Sequence, residues 1–140
     1  MVNEMNNPSL ASSELGPTVC VGEILVEIIA TTAGNGFLKP MSLTGPYPSG
    51  APAVFINQCA RIGGTSAMIG AVGDDDFGRV NTDRLKRNGV ITSGIVVDPE
   101  FPTGSAFLRY RHDGSRDFIY NIATSAAARF SWSDNVKSLI

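Results

Sequence analysis

The chain has 140 residues, of which 43% are hydrophobic and 17% are charged, and its formal net charge is -2. This apolar content is enough for a buried core, which excludes a chain that is disordered throughout. Lysine and arginine form no continuous run and no apolar stretch approaches the roughly 20 residues of a bilayer-spanning helix, so neither a nucleic acid nor a membrane is expected as a partner.

The amino-terminal segment differs in composition from the rest of the chain. Residues 1–17 are polar and rich in Asn and Ser, without a positively charged start or a long apolar stretch, so we expect a disordered tail rather than a signal peptide. Cys20 and Cys59 lie in apolar patterns, and two thiols do not make a disulfide framework. We interpret both as buried apolar side chains, and the cytoplasm is the expected compartment.

The first apolar segment, Thr18–Ile29, is dense in Val, Ile and Leu and predicts an inner strand of a covered sheet, interrupted at Gly22-Glu23. Glu27 needs a reason to lie in such a strand, because an unpaired carboxylate is costly to desolvate. Residues 31–49 are rich in Gly, Thr and Pro, which is typical of loops and short exposed strands.

A helix is predicted to begin at Ser49-Gly50-Ala51-Pro52-Ala53 and to end at Gly63, since Pro suits the first turn and Gly the left-handed stop. The glycine at its entrance would let the backbone approach a small polar ligand closely. Next come a buried strand over Thr65–Val72, an acidic turn, and a surface helix over Gly78–Asn88 that ends at Gly89. A third strand is predicted at 94–98.

The last third of the chain predicts a β-hairpin. Ser105–Arg111 and Arg116–Ile122 alternate polar and apolar residues on either side of a Gly-containing turn. Strict alternation means that one face of the hairpin is solvated or closes over a ligand, and we interpret the hairpin as a lid. Ser131–Asp134 then predicts the start of a helix. A β/α series with so few strands cannot cover both faces of its sheet, so we expect the chain to be the first part of a larger protein, or a truncated or partially ordered copy of one.

Several ordered motifs together carry a resemblance to a known family. The runs Arg61-Ile62-Gly63-Gly64 and Ile69–Gly78 are followed at matching intervals by Asn88-Gly89-Val90, Thr103-Gly104 and Ser125-Ala126. In this order they resemble the PfkB family of carbohydrate kinases, the ribokinase-like sugar kinases. The resemblance implies a ribokinase-like three-layer α/β/α fold with a mostly parallel sheet and a small β-strand lid. Residues 18–140 would be its N-terminal part, with lid strands around 31–49 and 104–122.

The resemblance also implies an acceptor site. The backbone at Gly50 would contact sugar hydroxyls, and Glu27 stands where many members have an aspartate. Val54 replaces the family asparagine, and the nearest amide is one helical turn later. The implied substrate-binding residues are Glu27, Gly50, Ala51, Asn57 and Tyr120. For four of them a structural alternative is open: Glu27 held by backbone amides, Gly50 shaping a turn, Asn57 a packing amide and Tyr120 a lid-packing ring.

No catalytic residue or metal ligand is assigned within the chain. Gly70–Asp74 looks like the catalytic Gly-Ala-Gly-Asp turn of the family, but it aligns with the family's first acidic turn, and the catalytic base is expected beyond Ile140. Asp74, Asp75 and Asp76 are interpreted as helix caps and turn carboxylates, because a cation cage needs more converging oxygens.

The implied function is ATP-dependent phosphorylation of a hydroxyl of a neutral sugar, a ketohexose of the fructose or tagatose class. Members that act on acidic sugars have an arginine where this chain has Ile122. ATP and Mg²⁺ would be bound mainly by segments absent from this chain, which alone is expected to be inactive. The alternatives are a nucleoside kinase of the same fold, or a non-catalytic sugar-binding domain if the chain ends at Ile140. A homodimer through the lid strands is also expected.

Overall fold

The computed structural model describes residues 16–132 and 134–137, and it divides them between two sheets. The core sheet is entirely parallel and has the order β1 (Thr18–Val21), β4 (Ser66–Gly73) and β5 (Ile91–Asp98). All eight residues of β4 are buried, as its continuous apolar sequence predicts. The predicted tail at 1–17 lies almost wholly outside the described residues.

Two helices pack on the core sheet. Helix α1 spans Ala51–Arg61, with Pro52 in its first turn, and α2 spans Asp76–Arg87. They end beside Gly63 and Gly89, whose φ values of 94° and 86° confirm the predicted left-handed stops. The buried core cluster joins α1, α2, β4 and the segments next to them: Ile24, Ala53, Ile56, Met68, Val72, Leu85 and Val90.

The second sheet contains the predicted hairpin and two further strands. Its order is β3 (Leu43–Ser49), β2 (Leu25–Ala30), β6 (Gly104–Tyr110) and β7 (Arg116–Asn121). Strands β2 and β6 are parallel, whereas β3 and β7 flank them antiparallel. We call this four-stranded sheet the lid sheet. Short helices at Ala126–Arg129 and Asp134–Lys137 follow it, and Ser133 in the predicted cap lies outside the described residues.

The prediction of one strand over Thr18–Ile29 was wrong. The backbone N–H of Gly22 donates a hydrogen bond to the carbonyl of Ile69 in the core sheet, whereas Leu25 already pairs with Ser49 in the lid sheet. The chain therefore changes sheets across Gly22-Glu23-Ile24. β1 is an edge strand without a buried residue rather than the predicted inner strand, whereas three residues of β2 are buried. Both halves are apolar, so composition alone does not separate them.

Both cysteines are free and pack, partly buried, against the core cluster. Burial, with the nearby Cys59 and Glu23, raises the pKa of the Cys20 thiol, as expected for a packing side chain rather than a reactive thiolate. Among the described residues, no helix has the length and apolar character that crossing a membrane requires.

Candidate acceptor site

One row of the lid sheet brings together residues that are far apart in the chain. Glu27 on β2 pairs with Tyr47 on β3 and with Ala106 on β6, and Ala106 pairs with Tyr120 on β7. Directly paired residues direct their side chains to the same face of a sheet. Glu27 and Tyr120 therefore face the same side of the lid sheet, separated by one strand.

This face of the lid sheet borders a cavity of about 160 Å³ at the start of α1. We call it the acceptor cavity. Four of the five predicted substrate-binding residues line it, namely Glu27, Gly50, Ala51 and Tyr120. The other lining residues are Glu23, Leu25, Ser49, Ala106, Phe118 and Ile122. The expected shared pocket of Glu27 and Gly50 is present, and their role in binding stays a prediction.

Gly50 brings the backbone of the α1 entrance against the β1–β2 crossover. It caps α1 with a φ of 100°, a region that residues with a β-carbon rarely adopt. A β-carbon at this position would lie 2.5 Å from the carbonyl oxygen of Glu23. Both the turn and the close approach therefore require glycine, so the structural role of Gly50 coexists with its place in the cavity wall.

Asn57 does not line the acceptor cavity. Its side chain is 1% exposed, and its Oδ1 accepts a hydrogen bond of 2.7 Å from Nδ2 of Asn88. Asn57 lies six residues after Ala51, which places it about 9 Å further along the helix axis. Its position favours the packing alternative, and a role of Asn57 in substrate binding stays a prediction.

The acceptor cavity contains two carboxylates and no cation. Glu23 and Glu27 are half-buried, and no Lys, Arg or His lines the cavity. Within the described part of the chain, neither carboxylate receives a hydrogen bond or forms an ion pair. The alternative in which backbone amides hold Glu27 is therefore not observed. Because half-buried carboxylates are costly to leave unpaired, this arrangement suits a ligand that brings its own hydroxyl donors.

Sequence reasoning did not select Glu23 or Phe118 as site residues. Glu23 follows Gly22, where the chain changes sheets. The sequence signal that could have identified Glu23 is the interruption of the apolar segment at Gly22-Glu23. Phe118 has the same alternation phase as Tyr120, and the two rings stack with centroids 5.1 Å apart and planes 9° apart. The stacked pair gives the cavity one aromatic wall.

The acidic turn after β4 is a structural unit at the start of α2. Oδ1 of Asp75 accepts hydrogen bonds from Gly78 N and Thr103 Oγ1, at 2.8 and 2.7 Å, and its Oδ2 accepts one from Thr103 N at 2.8 Å. Asp74 and Asp76 both pair with Arg79 on the surface. This confirms the interpretation of the three aspartates as a helix cap and turn carboxylates.

The Asp75 cap gives a pH-dependent prediction. Burial alone would raise the pKa of Asp75, but the hydrogen bonds from Thr103 and Gly78 outweigh it and lower that pKa below its usual value. A carboxyl group whose pKa is lower in the folded state than in the unfolded state stabilises the fold at pH values above its unfolded pKa of about 3.9. This stabilisation is lost as the pH falls through the folded pKa. We expect Asp75→Asn to cost about 1 kcal/mol at pH 7, because the amide can keep the bond from Gly78 N but has no second oxygen to accept from Thr103 N.

Thermal denaturation between pH 7 and pH 3 checks this expectation. The melting temperatures of wild type and Asp75→Asn should converge below about pH 4. Asp83→Asn, an exposed carboxylate on the same helix, is the matched control. A difference between wild type and Asp75→Asn that stays constant down to pH 3 would contradict the cap assignment.

Comparison with known proteins identifies the family. Residues 17–140 match the family model described as pfkB family carbohydrate kinase. The chain belongs to the pfkB family of carbohydrate kinases. The resemblance found in the sequence motifs is therefore confirmed.

Curated and solved pfkB relatives agree on the fold. The chain is 38% identical to Probable fructokinase-7 of Arabidopsis thaliana, over 87% of this chain and 35% of that protein. It is 38% identical to Fructokinase-1 of Oryza sativa subsp. japonica, over 73% of this chain and 31% of that protein. The Halothermothrix orenii fructokinase structure superposes with a TM-score of 0.77 and 29% identity, covering 84% of this chain and 41% of that one. The predicted ribokinase-like fold is confirmed, and the chain spans about a third of these relatives' length.

Proposed function

We propose that this chain holds and covers the acceptor in an ATP-dependent sugar kinase, which transfers the γ-phosphoryl group of ATP to a hydroxyl of a neutral sugar of the ketohexose class. The acceptor cavity carries the proposal, because it joins the Glu27 carboxylate, the Gly50 bend and the Tyr120 ring in about 160 Å³. The relatives named fructokinase support the same substrate class.

The residues of the cavity would act by positioning. The Glu27 carboxylate accepts hydrogen bonds from sugar hydroxyls, and the bend at Gly50 lets the backbone of the α1 entrance approach the sugar closely. The lid strands cover the acceptor from the side of Phe118 and Tyr120. Holding a hydroxyl in a fixed place removes part of the entropic cost of the reaction. Positioning of this kind and electrostatic stabilisation are the two main protein contributions to phosphoryl transfer.

Charge supports a neutral acceptor. Two carboxylates line the cavity, and Ile122, where acid-specific members have arginine, lines it as well. A sugar acid would meet like charges and no bidentate cation, so its binding would be unfavourable.

The chemistry of the acceptor cavity does not fit a nucleoside triphosphate, because its only charged groups are carboxylates. ATP is present in a solved Xylella fastidiosa fructokinase, and ATP with Mg²⁺ in an E. coli protein provisionally named ribokinase II. When bound, the nucleotide supplies the phosphoryl group, and the metal neutralises its charge. We propose that segments following residue 140 in the complete protein hold both groups and the catalytic base, so that residues 1–140 alone are inactive.

An ATP-consumption screen on the complete protein tests the proposal. We expect turnover with D-fructose or D-tagatose, and at least about tenfold lower kcat/KM with an acidic keto-sugar, because a buried like charge costs more than one tenfold step. The stacked Phe118 and Tyr120 rings favour a nucleoside kinase as the second candidate. Preference for nucleosides would support that second candidate, and binding of sugar without any ATP turnover would indicate a sugar-binding protein.

We further propose a homodimer through the opposite face of the lid sheet, in the cytoplasm. That face carries an apolar depression of about 320 Å³, and Leu43 and Ile119 in it are 42% and 47% exposed. We expect Ile119→Asp to shift the complete protein from dimer to monomer in sedimentation velocity. Val97→Asp, at a residue 54% exposed on the core sheet, is the control. A dimer unaffected by Ile119→Asp would refute this interface.

A further inference from the structure

Helix α2 contacts two strands of the lid sheet through its side chains. Nδ2 of Asn81 donates a hydrogen bond of 3.1 Å to the carbonyl of Leu25 on β2, and Asn81 is 2% exposed. One helical turn later, Nη1 of Arg84 donates a hydrogen bond of 2.7 Å to the carbonyl of Pro48 on β3. Two side chains of one helix thus bind the backbones of two lid strands.

The two bonded carbonyls lie next to each other at the base of the lid sheet. Leu25 pairs with Ser49, and Val26 pairs with Pro48. Leu25 and Ser49 both line the acceptor cavity, while Glu27 follows Leu25 by two residues on β2 and Gly50 follows Ser49 directly. The hydrogen bonds therefore hold the strand segments that determine the separation of Glu27 and Gly50.

Helix α2 is itself anchored to the core. Leu85 belongs to the core cluster, and Asp75 at the start of the helix is bonded to Thr103. Thr82 lies between Asn81 and Arg84 in the sequence. Its hydroxyl donates hydrogen bonds to carbonyls of its own helix, those of Gly78 and Arg79. Asn81 and Arg84 therefore differ from their neighbour in reaching another element.

We propose that Asn81 and Arg84 are positioning residues for the acceptor sugar. They transmit the fixed position of α2 to β2 and β3, and so set the geometry in which Glu27 and Gly50 meet the same ligand. This inference rests on the proposed sugar kinase function. It predicts a defect in acceptor binding, not in nucleotide binding, because the two strands that they hold carry acceptor-cavity residues.

Steady-state kinetics of the complete protein tests the proposal. Arg84→Met removes the donor and keeps the apolar stem. Asn81→Asp keeps the shape and loses two hydrogen bonds, to the carbonyls of Leu25 on β2 and of Phe77 in its own helix. For Arg84→Met we expect the KM for the sugar to rise about three- to tenfold, the range for one lost hydrogen bond. For Asn81→Asp we expect a rise at least as large, because two hydrogen bonds are lost and a buried carboxylate faces two carbonyl oxygens. The KM for ATP and kcat should change less than about twofold. Arg84→Lys should recover part of the loss, and Thr82→Val should behave as wild type.

The outcomes separate this inference from the proposed function. Wild-type turnover with an unchanged sugar KM in Arg84→Met overturns the positioning role and leaves the kinase function standing. If the KM for ATP rises as much as the KM for the sugar, or if Thr82→Val shows the same rise in sugar KM, the role is merely structural. Either result also overturns the positioning role. Absence of turnover by wild type with every sugar overturns the proposed function, and this inference with it. If Asn81→Asp fails to fold, Arg84→Met decides.

Discussion

Replacing Gly50 with alanine is expected to destabilise the fold and to remove acceptor binding together. The φ of 100° at this residue costs an L-residue about 1–3 kcal/mol of strain. In addition, the new β-carbon would lie 2.5 Å from the carbonyl oxygen of Glu23, so the backbone of either segment must move. Both segments border the acceptor cavity, and a shift of either displaces a wall of it.

Gly63→Ala is the matched control, because it separates strain from the close contact. Gly63 has a similar φ of 94°, but nothing lies within 4 Å of a β-carbon built there. Thermal denaturation and sugar KM should be measured for both variants of the complete protein. We expect Gly63→Ala to lose stability and keep its sugar KM, whereas Gly50→Ala loses stability further and raises the KM by at least about tenfold. Equal KM values for the two variants would contradict the close approach at Gly50.

Local signals in the sequence were sufficient for most of the elements. Pro52 and Gly63 predicted the two ends of α1, because their backbone preferences act within a single turn. The alternation on either side of the Gly114 turn predicted the hairpin of β6 and β7. The same locality explains the error at Thr18–Ile29. Which of two sheets a buried apolar segment joins is decided by partners far along the chain, here Ile69 for β1 and Ser49 for β2.

The candidate site was predictable where a residue's position follows from its element. Glu27 and Tyr120 were selected on separate strands, and the register across Ala106 brings them to one face. Asn57 was selected because it lies about one helical turn after Val54. This criterion does not consider which face of α1 is buried. Since Ile56 and Asn57 are both buried, that part of α1 faces the protein interior rather than the cavity at its start.

Changing Glu27 to glutamine is expected to lower kcat/KM for the sugar by about ten- to hundredfold, the range for a lost charged hydrogen bond. The amide keeps the size of the side chain but accepts hydrogen bonds from hydroxyls less strongly. Steady-state kinetics of the complete protein measures the effect. Glu27→Asp should fall between the two, because it keeps the charge and shortens the reach by one methylene.

Stability separates a binding role of Glu27 from a structural one. Within the described residues the Glu27 carboxylate has no partner, so its removal breaks no observed interaction and relieves the desolvation of a charge. The melting temperature of Glu27→Gln should therefore equal or exceed that of wild type while activity falls. Glu100→Gln, at an exposed carboxylate outside the cavity, should change neither quantity. A Glu27→Gln variant that is less stable yet fully active would mean that the carboxylate supports the fold and does not contact the sugar.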